Sequence, residues 1–279
     1  MGVLNVSPES FHAGSVHAAA ADLLSAALAM VEAGAVLIDV GARSTAPYLD
    51  TAITDEEERT RLARAIEVLA PKVPVPISAD TSRPGPARAA LEAGARIIND
   101  VSGLRDPTLA SLVAERGVGV ILMASPAATA GGLAVAGGTV GVEGTLSSDQ
   151  PVAVVSALLE AALGRARAAG IPDERVVLDP GIGFFRNVAM AWDEWDARVL
   201  AGLDALAAIG RPLCVGVSRK SFIGAIIGRP GTEKRLAGSL AATAVAVWNG
   251  AALIRTHDVA ETLDAVRVAE RVRGASAAL

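Results

Sequence analysis

The sequence predicts an α/β protein folded as a single-domain (β/α)8 TIM barrel over residues 1–279. Three observations predict it. The length suits one barrel of about 250 residues, and no charge-rich linker divides the chain. Short apolar runs alternate with longer helix-like segments about eight times, which implies right-handed crossovers and a parallel sheet. Almost every apolar run then stops on a polar residue, and in a barrel those stops meet at one rim, the usual place for a site. An open doubly wound sheet would also alternate, but it would gather its polar strand ends near one switch point.

Each element has its own signal. Val3-Leu4 runs into Asn5. Residues 17–33 are rich in Ala and Leu and end at Ala33-Gly34, a helix stop. Val36-Leu37-Ile38 leads to Asp39, and residues 55–70 open on four acidic side chains, Asp55 to Glu58, that favour a helix N-terminus. Pro76-Ile77-Ser78-Ala79 leads to Asp80, and Pro84 to Ala93 reads as a helix with proline in its first turn and Gly94 past its end. Arg96-Ile97-Ile98 leads to Asn99 and Asp100, followed by a helix over 106–116. Val120 to Met123 forms the fifth strand. The low-charge, aperiodic stretch 124–148 after it is expected to be a flexible loop over the barrel mouth. A helix over 151–169 precedes Val176-Val177-Leu178 and Asp179, and another over 189–209 precedes the run Leu213 to Val217 with Ser218, Arg219 and Lys220 at its end. The last unit has a helix over 233–249, the run Ala252-Leu253-Ile254 ending on Arg255 and His257, and a helix over 259–273.

The bulk numbers narrow the function. Hydrophobic residues make up 52% and charged residues 20%, enough for a large core and too apolar for a disordered chain. A net charge of −5 argues against nucleic acid as a partner. Cys214 is the single cysteine and sits in an apolar run, so it reads as a buried, inert thiol. The histidines are His12, His17 and His257, and no Cys/His cluster with metal spacing exists. Residues 236–254 carry no charge, but their small residues and the Gly250-Ala251 break fit a buried helix and strand better than a membrane span. With no secretory leader pattern, the expectation is a soluble cytoplasmic protein with no membrane partner.

Two groups of strand-end residues carry chemistry. Lys220, Arg255 and His257 follow the seventh and eighth strands, where barrels commonly hold phosphate, and Ser218 and Ser221 add hydroxyls beside a helix start. Three donors from two adjacent strand ends favour anion binding over a solvated basic cap. Asp80, Asn99 and Asp179 form the second group. A carboxylate accepts two parallel N–H bonds from an amidine-like ring edge, and an amide both donates and accepts toward ring heteroatoms. Strand-end Asp and Asn also cap loops, which is the expected part of Asp106, Asp173 and Asp258. Asn5, before an oxygen-rich loop, is a candidate partial ligand for Mg2+, which takes oxygen donors and shares them with substrate phosphates.

At these residues the chain resembles the dihydropteroate synthase family. The matching segments are Met1 to Phe11, Ile77 to Thr81, Ala93 to Gly103, Leu178 to Phe184, Val215 to Gly224 and Arg255 to Val259, in the family's order and across essentially the whole chain. The resemblance implies an Mg2+-dependent transferase. It would join the methylene of 6-hydroxymethyl-7,8-dihydropterin diphosphate to the nitrogen of an aminobenzoate and release pyrophosphate. Asp179, Asn99 and Lys220 would hold the pterin, Asp80 would lie beneath its developing cation, and Met123 would pack on the ring. Arg255, His257 and Asn5 would hold the diphosphate and its metal. A homodimer through late helices, including 236–249, is a further family expectation.

The match thins at two loops. Ser10-Phe11-His12-Ala13-Gly14-Ser15 has Ala13 where the family has an acidic residue. Arg43-Ser44-Thr45-Ala46-Pro47-Tyr48 has Ala46 at the family's arginine and Arg43 at its glutamate. These loops would shape the arylamine half of the site, with Arg43, Ser44 and Thr45 as its candidates. The strand-five motif is changed as well, reading Ala124-Ser125-Pro126. Three readings follow: a synthase using 4-aminobenzoate, a sister synthase of tetrahydromethanopterin-type pathways using a ribosylated aminobenzene phosphate, or a pterin-binding protein or methyltransferase without synthase activity. A methyltransferase has no diphosphate to hold, so Lys220, Arg255 and His257 count against it.

Overall fold

The computed structural model describes residues 1–6, 16–42, 53–125, 150–186 and 190–276. Its elements, in chain order, are β1 (Gly2–Asn5), α1 (Val16–Glu32), β2 (Ile38–Gly41), α2 (Asp55–Leu69), β3 (Ile77–Asp80), α3 (Pro84–Glu92), β4 (Ile97–Asp100), α4 (Pro107–Arg116) and β5 (Gly119–Met123). Then come α5 (Pro151–Ala168), β6 (Val176–Asp179), α6 (Trp192–Ala201), α7 (Leu203–Ala207), β7 (Cys214–Val215), α8 (Ser221–Ile226), α9 (Leu236–Trp248), β8 (Leu253–Ile254) and α10 (Val259–Ser276).

All paired strands are parallel. β1 to β6 form one sheet in sequence order, and β7 pairs with β8. Two single bridges join these pieces into a ring, Leu178 with Leu213 between β6 and β7, and Gly2 with Thr256 between β8 and β1. The second seam is reciprocal: Val3 N–H donates to Thr256 O at 3.0 Å, and Thr256 N–H to Met1 O at 3.0 Å. The eight strands therefore close into a barrel, as the sequence predicts.

The helices start and stop where their caps dictate. Thr54 accepts from Glu57 N–H at 3.2 Å and opens α2 ahead of its acidic turn. Asp106 accepts from Thr108 N–H at 2.8 Å and opens α4, the capping part expected of it. Gly94, after α3, adopts φ +119°, where a side chain would collide with Ala70 at 2.7 Å. Three details differ from the sequence reading. The segment expected as one helix over 189–209 is two, α6 and α7, because the chain breaks at Gly202. The 233–249 helix begins instead as a 3-10 turn over Thr232–Lys234, with its α-helical part from Leu236. The six-residue α8 was not foreseen.

Two apolar clusters fill the interior. The larger packs helices on the outer faces of the strands, with Ile38, Val40, Ile98, Val120 and Leu178 facing it. The smaller contains Leu37, Ile121 and Cys214, joined by Ile97, Val177 and Leu253. These six alternate with the outward set, so they point into the barrel. Cys214 is buried there, as expected of an inert thiol. Among the described residues no helix is long and apolar enough to cross a membrane.

Candidate active site

Two residues beyond each of those inward-facing apolar positions, on the same side of its strand, stand Asp39, Met123, Gly216, Asn99, Asp179 and Arg255. The period of two that fills the barrel with hydrocarbon thus lifts the next layer into its mouth. There a narrow cleft is lined by Asp80, Asn99, Met123, Asp179, Lys220 and Arg255, with Val101, Ile182, Phe184 and Gly216 as its apolar walls. Six of the candidates read from the sequence meet in this one space.

Arg255 organises the floor. Its Nε donates to Asp39 Oδ2 at 2.8 Å and its Nη2 to Asp80 Oδ2 at 3.0 Å. Asn99 Nδ2 donates to the same Asp39 oxygen at 3.2 Å. Burial alone would loosen the guanidinium proton, but the carboxylates of Asp39 and Asp80 outweigh it and hold Arg255 above the ordinary arginine value. A charge fixed to this degree is a structural part of the ring pocket first and an anion donor second. The expected trio of Lys220, Arg255 and His257 is accordingly divided, with the first two in the cleft wall and His257 outside it.

Asp179 closes the opposite side. Its Oδ1 accepts from Gly181 N–H at 2.7 Å. Burial raises its pKa, against the pull of that hydrogen bond and of the Lys220 and Arg255 charges. Lys220 Nζ lies 4.6 Å from the centre of the Phe184 ring. Burial, and then the Arg255 charge, bring its pKa down to about 8, with Asp179 and Asp196 opposing. Near neutral pH the cleft therefore presents the Lys220 ammonium to a planar guest, with the Asp179 carboxyl group and the Asn99 amide beside it.

The phosphate-side candidates lie along the outer edge. Ser218 Oγ and His257 Nδ1 are 3.2 Å apart, and the His257 N–H reaches the same hydroxyl at 3.3 Å. Desolvation and the Arg255 charge push the imidazole below its usual pKa. Ser221 is engaged by Arg186 Nη2. Asp258 does more than cap a helix: it receives both Arg219 Nε at 2.8 Å and Nη2 at 2.7 Å. That grip holds Arg219 at φ +54°, between Ser218 and Lys220.

Asn5 ends β1 with an exposed side chain. No group of three or more His, Cys, Asp or Glu that could hold a metal occurs among the described residues. One carboxamide oxygen still fits Mg2+, which commonly takes one or two protein oxygens and fills its shell with substrate phosphates and water. Arg43, Ser44, Thr45 and nearly all of the 124–148 loop lie outside the described residues.

Two participants escaped the sequence reading. Asp39 ends its apolar run just as Asp80 does, but nothing in the sequence shows that it anchors Arg255 and Asn99. Phe184 lay inside a quoted segment, yet nothing in the sequence places its ring under Lys220.

The chain matches the pterin binding enzyme family over residues 1–257. It is 37% identical over 270 residues to dihydropteroate synthase of Escherichia coli strain K12, covering 97% of this chain and 90% of that enzyme. It also superposes on the Xanthomonas albilineans dihydropteroate synthase solved with 4-aminobenzoic acid, at TM-score 0.81 and 37% identity, covering 98% of this chain and 92% of that one. The same enzyme in complex with 7,8-dihydropteroate gives TM-score 0.80 at 36% identity, with 98% and 92% coverage. A barrel whose mouth gathers these carboxylates, amide and cations, and which aligns with such relatives over almost its whole length, belongs to the pterin binding enzyme family.

Proposed function

We propose that the protein is a dihydropteroate synthase, a transferase that joins 6-hydroxymethyl-7,8-dihydropterin diphosphate to 4-aminobenzoate. The observation that carries this reading is the joint placement of Asp179, Asn99 and Lys220 around one cleft over the Arg255-held Asp80. The pyrimidine edge of a pterin offers adjacent N–H donors that a carboxylate accepts as a pair, and its carbonyl and ring nitrogens take hydrogen bonds from an amide and an ammonium.

In the reaction the bond between the pterin methylene and the diphosphate oxygen breaks, and its electron pair leaves with pyrophosphate. The aminobenzoate nitrogen forms the new bond to that methylene and gives up a proton. Positive charge builds on the ring side as the diphosphate departs, and the Asp80 carboxylate below it stabilises that charge in a site with little water. Arg255 holds Asp80 in place, so no reorganisation is needed as charge develops. His257, with Ser218 on its ring nitrogen, faces the leaving-group side and becomes a stronger donor once an anion offsets its cationic neighbours.

Mg2+ belongs to the same proposal, with Asn5 as its one protein oxygen. It would neutralise diphosphate charge when bound. A homodimer is part of it too, through the apolar face that Val245 and Trp248 of α9 share with Val268 and Val272 of α10, all exposed on two helices packed together. A cytoplasmic location suits an enzyme of small soluble metabolites whose single cysteine is unpaired. The 4-aminobenzoate reading draws on the Xanthomonas enzyme bound to that acid. Calorimetric titration with the pterin diphosphate and Mg2+ tests the pocket. Saturable binding that Asp179→Ala abolishes supports the assignment, and binding indifferent to that change refutes it.

A further inference from the structure

Below the cleft, α6 places two fully buried residues side by side, Trp195 and Asp196. Trp195 stacks on Phe185, ring centres 5.2 Å apart, and so fastens the β6–α6 loop from one side. Asp196 fastens it from the other: its Oδ1 accepts the Gly183 N–H at 2.8 Å. Its second oxygen, Oδ2, is buried and has no hydrogen-bond partner among the described residues. A buried carboxylate with an unsatisfied oxygen is costly, so a mere loop anchor would be better served by a single hydroxyl such as serine. Something else must favour an acid here.

The residue that Asp196 grips leads to Lys220. A Cβ built on Gly183 would stand 3.0 Å from Lys220 Cδ and 3.2 Å from its Nζ, so the lysine lies directly on that glycine. The next residue, Phe184, supplies the ring beside the same ammonium. Farther along the loop, Arg186 stacks over Trp192 at 4.1 Å and donates to Ser221, the residue after Lys220. The β6–α6 loop and the Lys220-Ser221 segment are thus tied at two points, and Asp196 holds the loop from beneath.

We propose that Asp196 is a positioning residue for Lys220, fixing the Gly183-Phe184 surface on which the lysine rests and supplying negative charge that keeps its ammonium protonated. The inference rests on Lys220 holding the pterin, as argued above. The charged groups around Lys220 are Asp179 and Asp196 on one side of the balance and Arg255 and Arg186 on the other. Those around Asp196 are Arg186 and Lys220, with Asp193 opposing them. Burial pushes the Asp196 carboxyl up to about 6 and the Lys220 ammonium down to about 8, so the two are charged together in the interval between. Removing the Asp196 charge leaves Lys220 with one acidic neighbour fewer, and its pKa falls further.

Asp196→Asn keeps an oxygen for the Gly183 N–H and removes only the charge, whereas Asp196→Ala removes both. Binding of 6-hydroxymethylpterin, followed by its fluorescence from pH 6 to 9, reads the effect, and comparing variant with parent cancels the ligand's own titration. The expected result for Asp196→Asn is an alkaline limb of binding moved down by about half to one pH unit, with roughly two- to fivefold weaker binding at pH 8. Asp196→Ala is expected to bind more weakly still, with a melting curve that reports its loop damage separately. An Asp196→Asn profile that overlays the parent overturns the inference, whether or not Asp196→Ala folds. Lys220→Met separates the two claims: if it leaves binding intact, the assignment of Lys220 itself fails. If it abolishes binding while Asp196→Asn changes nothing, only the role of Asp196 fails.

Discussion

Arg255 stands between Asp39 and Asp80, whose side chains are 0% and 5% exposed, so deleting it does more than remove a positive charge. Two carboxylates are left in a place without water. Breaking a buried pair from one side commonly costs about 3–5 kcal/mol, far beyond the worth of an exposed ion pair. Arg255→Ala is therefore expected to lower stability by about that much in urea unfolding, and Asp39→Asn in the same chain to return part of it. A loss below about 1 kcal/mol would show that the network does not hold the floor of the site. Asp80, Asn99 and Asp179 were legible in the sequence because each stands at the end of an apolar strand on the polar rim, and Lys220 because it closes the polar stretch after the seventh. What the sequence does not carry is the partner of each: nothing along the chain links Arg255 to Asp39, 216 residues earlier. Only ring closure brings the last strand back beside the first.

Among the elements, the β6–α6 connection bears most directly on the chemistry. Gly183 adopts φ +88° and lies under Lys220, so any side chain there is strained and displaces the lysine. Gly183→Ala is expected to weaken pterin binding by about tenfold or more, while its melting temperature falls only by the few degrees that a strained backbone costs. Binding unchanged to within a factor of two would mean that Lys220 does not need this seat. Glu58 shows a similar dependence on what folding brings together. Its place in the acidic first turn of α2 reads as dipole complementation, yet the side chain is buried, accepts from Thr81 Oγ1 and pairs with Arg83 at 2.9 Å. It thereby braces the residue that follows Asp80. Helix limits were legible where an acidic turn, a cap or a glycine marks them, as at Asp55, Asp106 and Gly94. The break at Gly202 was not, because the residues on both sides keep helix-forming composition. The six residues of α8 are too few to show a period.

For the molecule as a whole, the barrel was readable from alternation and from the spread of polar strand ends, both of which survive in a single sequence. Its closure was not, since β7 and β8 are two residues each and join the larger sheet through single bridges. The outer surface divides in the same manner. A helix over 236–249 could be recognised from its apolar run, but not which of its side chains face outward. Trp248 is 47% exposed on α9, and Val268 and Val272 on α10 are 65% and 53% exposed. Trp248→Glu is expected to leave the fold intact and convert a dimer to a monomer in light scattering behind size exclusion. A parent protein that is already monomeric at micromolar concentration contradicts the proposed interface. The cleft proposed to receive the pterin is built from strand ends and the β6–α6 turn, while Ala13, Arg43 and Ala46 lie outside the described residues.

The decisive measurement is turnover. Purified protein is mixed with 6-hydroxymethyl-7,8-dihydropterin diphosphate, Mg2+ and 4-aminobenzoate, and pyrophosphate and dihydropteroate are quantified together. The two are expected to appear in equal amounts. Pterin binding without pyrophosphate release, or release only when a ribosylated aminobenzene phosphate replaces 4-aminobenzoate, would contradict the assignment.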